Sequence, residues 1–194
     1  MKEAEKSVYF ATKNRNKFLE VVAIASSFGI DLKHLKVEKL EIQSDSLRDI
    51  ACFAAMRAAK ASNLRVIAED AGLFVKVWTG FPGPYSSYVF KTLGNRGILK
   101  LMRNVEERQA TFRAAIAYCK PSHAPVCFEG NVRGTISRNA KGRLGFGFDP
   151  IFIPSSGDGR TFAQMTNREK GRFSHRAMAF VKFSKWYASA QRLS

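Results

Sequence analysis

The opening of the chain does most to limit what it can become. Residues 7–12 (SVYFAT) are a short apolar run, too brief for a helix and suited to a buried strand. A polar turn follows, Lys13-Asn14-Arg15-Asn16, and then Phe18, Val21, Val22, Ala25 and Phe28 recur at the spacing of an amphipathic helix. Gly29 supplies its stop. Strand, polar turn and helix in that order form the repeating unit of α/β folds. The unit also sets a helix N-terminus, with its N–H groups, beside a polar loop, which suits an anion.

The rest of the chain reads in the same way. A second strand is expected at residues 37–43, and Ser46 with Asp49 resembles a capping box opening an Ala-rich helix over 47–61. Strands are expected at 65–69 and 73–77, joined by Asp70-Ala71-Gly72, and the turn-rich stretch 79–85 (TGFPGPY) reads as a loop. A short helix is expected at 98–102 and strands at 110–119 and 126–132. Residues 142–147 are glycine-rich, and 148–153 are apolar apart from Asp149. Ser174 is placed to cap a last helix whose face carries Ala177, Phe180, Val181, Ser184, Tyr187 and Ala188. Helices and strands interleave first and a strand-rich middle follows, which favours an α/β fold on a mixed sheet. Neither an internal repeat nor a linker is visible, so 194 residues suggest one domain with two lobes at most.

Composition narrows the function. No apolar run approaches the ~20 residues of a bilayer span, and the start is charged, so a soluble cytoplasmic protein is the expectation. Cys52, Cys119 and Cys127 are odd in number and widely spaced, which points to buried, inert thiols rather than a disulfide framework or zinc site. The formal charge of +16 attracts polyanions, including nucleic acid in a salt-sensitive and sequence-blind way. Yet the cations are spread along the chain, as on a solvated surface with a basic cleft.

Four segments carry groups able to do chemistry. In Thr12, Lys13, Asn14, Arg15, Asn16 and Lys17, a Lys at the start of a helix can hold a phosphate as a point charge. The same turn is equally an ordinary surface loop, and it lacks the glycines of nucleotide-binding fingerprints. Asp70, after an apolar strand, suits a hard cation or the orientation of a water, or simply ends a strand. Glu41, between Leu40 and Ile42, is a similar case. In Phe146-Gly147-Phe148-Asp149, glycine lets backbone approach a ligand and Phe offers a face to a purine, though a bulge with core phenylalanines fits too. His175 and Arg176 follow Ser174 at a helix start, with Lys170 five residues before His175. Arg donates only, so it accepts a 6-oxo group as partner but not a 6-amino group.

Taken together, ATKNRNK, EIQ, AEDAGLFV, GFPGPYSSYVFKTLGNRGI, FEGNVRG, GFGFDPIFIP, TFAQMTNREK and FSHRAMA resemble the inosine triphosphate pyrophosphatase family over residues 11–179. The resemblance implies an elongated α/β fold with a long mixed sheet, two lobes around a cleft, and a homodimer. It implies hydrolysis of ITP, dITP or XTP to the nucleoside monophosphate and pyrophosphate, with one Mg2+ per subunit and Mn2+ as a substitute. By position, residues 12–17 would bind the triphosphate through Lys17. Glu41 and Asp70 would hold the metal, with Asp70 also the base for water, and Ala71 would offer its backbone. Phe146, Gly147, Phe148 and Asp149 would enclose the base, with Phe148 stacked on it. Lys170 would reach the nucleotide, and His175 and Arg176 would read the 6-oxo edge.

Two positions depart from that pattern, which usually has Gly at Lys13 and Ser at Ala71. If position 13 needs a positive φ, Lys costs about 1–2 kcal/mol; if not, Lys13 adds a phosphate contact. At Ala71 a hydroxyl contact is lost. A basic nucleic-acid-binding protein on the same fold is the competing reading. A septum-inhibitor-type pyrophosphatase for pyrimidine or modified nucleotides is a nearer one, against which the SHR segment argues.

Overall fold

A computed structural model describes residues 7–37 and 42–192. Seven strands and six α-helices occur among them in the order β1 (Val8–Ala11), α1 (Arg15–Ser27), β2 (Leu32–Leu35), α2 (Leu47–Ser62), β3 (Val66–Val75), β4 (Pro82–Gly83), α3 (Ser86–Thr92), α4 (Gly94–Leu101), β5 (Gln109–Cys119), β6 (Val126–Ile136), β7 (Phe152–Pro154), α5 (Asn167–Lys170) and α6 (His175–Arg192). The strands are hydrogen-bonded in the order β2-β1-β3-β5-β6-β7, with β4 on β3. Parallel pairing of β1 with β2 and β3, and antiparallel pairing of β3 with β4 and β6 with β7, make the sheet mixed, as expected.

The chain divides into two compact units. Unit 1 takes residues up to Asp70, then Ala114–Gly130 and the chain from Arg176; unit 2 takes Ala71–Arg113 and Asn131–His175. In unit 1, β1 is the strand read from SVYFAT, and Val8 and Phe10 are fully buried. Helix α1 buries Val21 and Ala25, the inward pair of its apolar stripe. Asn14, in an extended conformation, caps the helix with its side-chain oxygen on the N–H groups of Asn16 and Lys17. Helix α2 starts where Ser46 accepts from Asp49 N–H, and it packs through small residues, Ala51, Ala54, Ala55 and Ala59. Helix α6 buries Ala177, Phe180, Ser184 and Tyr187 of the expected face, together with Phe183.

Unit 2 has its own apolar core, built from Leu73, Val75, Ile98, Met102, Phe112, Val132, Ile136, Phe148, Phe152 and Phe162, among others. Three rings dominate it: Phe112 and Phe152 lie 4.6 Å apart and Phe152 and Phe162 5.2 Å apart, at angles typical of aromatic packing. The Arg108 guanidinium donates to the carbonyls of Met102, Val105, Ile136 and Ser137, so it fastens the end of α4 to the end of β6.

Besides β4, inside the stretch 79–85 read as a loop, and the unanticipated α5, three further differences from the sequence reading stand out. The second strand is β2, at Leu32–Leu35, before the expected 37–43, of which residues 38–41 lie outside the described residues. Its four residues alternate too briefly to stand out from a turn. The segment Ser86–Thr92 is a helix that was not anticipated. The third difference is that Asp70-Ala71-Gly72 does not join two strands but lies inside one continuous strand, β3.

Gly72 explains that continuity. A side chain there would bring its Cβ to 2.1 Å from the Gly83 carbonyl oxygen, so glycine is present because β4 backbone passes directly over it. The buried Ser86 hydroxyl fixes this crossing, accepting from Leu73 N–H at 2.8 Å and donating to Gly83 O at 2.7 Å. Gly72→Ala should therefore destabilise the protein by about 2–3 kcal/mol, lowering its midpoint by roughly 5–10 °C in a thermal melt; an unchanged melt would contradict the close approach.

Candidate active site

The turn after β1 is a hydrogen-bonded device. Thr12 is buried, its N–H donates to Leu35 O at 3.2 Å, and its hydroxyl accepts from Asn14 N–H at 3.0 Å. The His34 ring, stacked on Phe18 at 4.8 Å, donates through Nε2 to Thr12 O at 2.8 Å. Lys13, Arg15 and Asn16 are exposed, while Asn14 and Lys17 are half-buried. Lys13 is not among the positive-φ residues described, so a lysine carries no backbone strain at the position where the family pattern usually has glycine. Asn14 already meets the N–H groups of Asn16 and Lys17 at the start of α1.

Lys17 has a defined partner. Its ammonium lies 2.7 Å from Glu69 Oε2, and the Glu69 side chain has no exposed surface. The other oxygen of Glu69 accepts from Arg176, with Nε at 3.1 Å and Nη2 at 3.0 Å. Arg176, 2 % exposed, also donates through Nη1 to Glu20. A buried charge is tolerated only when paired and hydrogen-bonded, so Glu20, Arg176, Glu69 and Lys17 form one ionic chain that joins α1, β3 and α6 inside unit 1. Asp70 follows Glu69 on β3, is 8 % exposed, and points to the opposite side by strand alternation. Ala71, the next residue, begins unit 2 and is half-buried. Glu41 lies outside the described residues, and among those described no cluster of three or more His, Cys, Asp or Glu is arranged for a metal ion.

The unit 2 candidates form a second buried constellation. Asp149 Oδ2 accepts from Phe146 N–H at 2.9 Å and from Lys170 Nζ at 2.7 Å, and both charged side chains are almost completely buried. Gly145 has φ +72°, and a Cβ there would meet that same carboxylate oxygen at 2.1 Å, so the glycine of GFGFDP makes room for the pair. The Lys170 ammonium also lies 5.2 Å from the ring centroids of Phe146 and Phe162, within cation–π range. Helix α5 presents Lys170 through a full capping box, Thr166 with Glu169. Hydrogen bonds from Thr166 N–H, Arg160 and the Thr166 hydroxyl hold the Glu169 carboxyl down at about 2.

The two phenylalanines of the glycine-rich segment have different surroundings. Phe148 is 3 % exposed, sits in the unit 2 core and meets Phe90 edge-on at 5.4 Å. Phe146 and Gly147 are half-buried. His175 is buried and stacked on Phe112 at 4.7 Å, with the rings 9° from parallel. Sequence reasoning missed Glu20 and gave Glu69, although inside a candidate segment, no role. Their signals were weak: Glu20 lies one turn after Lys17 on α1, and Glu69 directly precedes the singled-out Asp70. The thiols also differ from expectation, since Cys119 is buried but Cys52 and Cys127 are partly exposed.

A model of the Ham1 family matches residues 8–186, essentially the whole of the described fold. The chain belongs to the Ham1 family. Among curated relatives, the dITP/XTP pyrophosphatase of Ignicoccus hospitalis is 49 % identical over 93 % of this chain and 96 % of that protein. That of Methanopyrus kandleri is 46 % identical, covering 93 % of this chain and 95 % of the relative. Among solved structures, a Ham1 protein from Coxiella burnetii superposes with a TM-score of 0.81 at 26 % identity, covering 94 % of this chain and 98 % of that one. A nucleoside-triphosphatase / dITP/XTP pyrophosphatase from Mycobacterium abscessus gives a TM-score of 0.70 at 30 % identity, over 91 % of this chain and 97 % of that one. The motifs read along the sequence are thus those of a Ham1-family member, and the mixed α/β fold is shared with Ham1 structures.

The Asp149–Lys170 pair lends itself to a stability test. Asp149→Asn removes one charge and leaves the buried ammonium uncompensated, which should cost about 3–5 kcal/mol in urea unfolding. The double variant Asp149→Asn with Lys170→Met should recover part of that loss, and equal losses in both would show that the pair is not coupled.

Proposed function

We propose that this chain hydrolyses deaminated purine nucleoside triphosphates, of the dITP and XTP kind, to the nucleoside monophosphate and pyrophosphate. The single observation that carries the reading is the ionic chain of unit 1. There a lysine at a helix start and a buried arginine share one carboxylate, directly before an acidic residue on the same strand. Such an arrangement holds cations for a polyanion at fixed positions, and Asp70, the next residue along β3 and turned to the strand's other side, is the carboxylate assigned to work on a water. The relatives from Ignicoccus hospitalis, Methanopyrus kandleri and Mycobacterium abscessus are named as dITP/XTP pyrophosphatases.

Within this reading Lys17 binds the triphosphate, exchanging part of its contact with Glu69 for phosphate oxygens. Lys13 and Arg15, exposed on the same turn, add positive potential as negative charge builds on the leaving pyrophosphate. Asp70 accepts a proton from the attacking water, whose oxygen bonds to phosphorus as the bridge to pyrophosphate breaks. No side-chain nucleophile is needed. The Arg176 guanidinium offers only donors, held in place by Glu20 and Glu69, and it pairs with a 6-oxo group but repels a 6-amino group. His175 is assigned to the same edge of the base. In unit 2, Lys170 is assigned to the nucleotide, and Phe146, Gly147, Phe148 and Asp149 to the purine, with the half-buried Phe146 rather than the core residue Phe148 taking the stacking role.

A divalent cation belongs to this proposal. Magnesium takes hard oxygen donors and usually needs only one or two carboxylates, completing its shell with phosphate oxygens and water. Asp70 is such a donor, and Glu41 is the second carboxylate assigned to it. When bound, Mg2+ (or Mn2+) would screen the polyphosphate charge. A cytoplasmic place of work goes with soluble nucleotide substrates, and no helix among the described residues is long and apolar enough to cross a membrane. The +16 charge is read here as attraction for triphosphates, with non-specific nucleic-acid attraction a side effect.

Purified protein with Mg2+ should release pyrophosphate from ITP, dITP and XTP much faster than from ATP, and Asp70→Asn should lower kcat by at least about 100-fold, the scale of a lost general base. Full activity in Asp70→Asn would end this assignment, and salt-dependent RNA binding without any turnover would favour the nucleic-acid reading. We also propose a homodimer, supported by the exposed apolar side chains of Phe81, Tyr85, Tyr88, Phe90 and Leu93 in one stretch of unit 2. Sedimentation equilibrium at micromolar concentration should give twice the chain mass; a pure monomer would remove the dimer from the proposal.

A further inference from the structure

Two of the three cysteines face one another inside unit 1. Cys52 lies in α2 one turn after Arg48, and Cys127 lies in β6 two residues before Glu129. Residues four apart share a helix face, and residues two apart share a strand face. Arg48 Nη1 is 3.8 Å from Glu129 Oε1, so the face carrying positions 48 and 52 is turned toward the face carrying 127 and 129. Phe128, between them in sequence, points the other way, with its ring 5.8 Å from Phe183 and 5.3 Å from Trp186 on α6. The two side chains are close enough to interact electrostatically. Both are partly exposed and neither is in a disulfide. Cys119 differs, being buried with its thiol on the carbonyls of Lys120 and His123, each at 3.2 Å.

We propose that Cys52 and Cys127 form a modification site at which a hydroperoxide closes an intramolecular disulfide, tying α2 to β6 without disturbing the native packing. The Cys52 sulfur, with Arg48 one turn away on α2, attacks the terminal peroxide oxygen. The O–O bond breaks, Cys52 becomes a sulfenic acid, and the other oxygen leaves as water or an alcohol. The Cys127 sulfur then attacks the Cys52 sulfur, losing its proton, and the sulfenic oxygen departs as water. Two thiols lose two electrons, and one peroxide gains them.

Burial raises the Cys52 thiol and pushes that of Cys127 up to about 12. Thiolate is therefore scarce, so closure is slow.

The test uses the full chain, reduced and then treated with hydrogen peroxide. The thiols titrated under denaturing conditions should fall from three to one. Non-reducing peptide mass spectrometry should find the 52–127 linked peptide in monomeric protein. It should vanish in Cys52→Ser and Cys127→Ser and persist in Cys119→Ser. Because the bond constrains the unfolded chain, the oxidised protein should melt at least about 5 °C above the reduced one. Three remaining thiols, or links only between molecules or to Cys119, would overturn the proposal. So would a 52–127 link that leaves the melt unchanged or lowers it, because the bond would then require distortion of the fold.

Discussion

Glu69 is a carboxylate with no exposed surface, and much of unit 1 is arranged around keeping it paired. An unpaired charge in that position costs several kcal/mol, so β3 can bury Glu69 only if Lys17 of α1 and Arg176 of α6 arrive together. Arg176 in turn is buried beyond what Glu69 alone satisfies, and Glu20 of α1 takes its remaining side. Helix α1 thus contributes a cation and an anion one turn apart to the same cluster. The cluster fixes the rotation of α1 and the approach of α6, and it leaves Asp70 as the next residue along a strand that cannot shift.

Unit 2 solves a similar problem with different parts. Asp149 and Lys170 are both buried, and each is held by more than the other: Asp149 by Phe146 N–H, Lys170 by the faces of Phe146 and Phe162. Gly145 is needed because the carboxylate occupies the space a side chain would take. Glu169 is spent on the cap that begins α5, which delivers Lys170 to a defined place. Lys17 and Arg176 in unit 1 and Lys170 in unit 2 are already paired with carboxylates. A polyanionic ligand must therefore compete with them, and charge on the ligand is exchanged rather than simply added.

The helical segments were legible because their apolar residues recur at the helical period and their caps stand in sequence, as with Asn14 for α1, whose polar turn marked the helix start, and Ser46 for α2. The long strand β5 was legible from alternation. β2 was not, since four residues alternate too briefly, and α3 was hidden behind the turn-forming residues before it. Gly72 read as a turn signal, although its role is to let another strand pass close. Phe146 and Phe148 are two residues apart and chemically identical, and only packing distinguishes the buried residue from the half-buried one.

By itself the sequence determined the mixed α/β class, helices such as α1 and α2, and the segments proposed to bind phosphate and purine. The motif set that marks the Ham1 family was also there to be read. The tertiary structure decided who neutralises whom. Glu20 and Arg176 are 156 residues apart, Glu69 and Arg176 107, and Asp149 and Lys170 21. Periodicity and capping constrain only residues on one element, whereas partners from different elements are chosen by the cost of burying a charge unpaired. That cost exists only once the chain has folded around it.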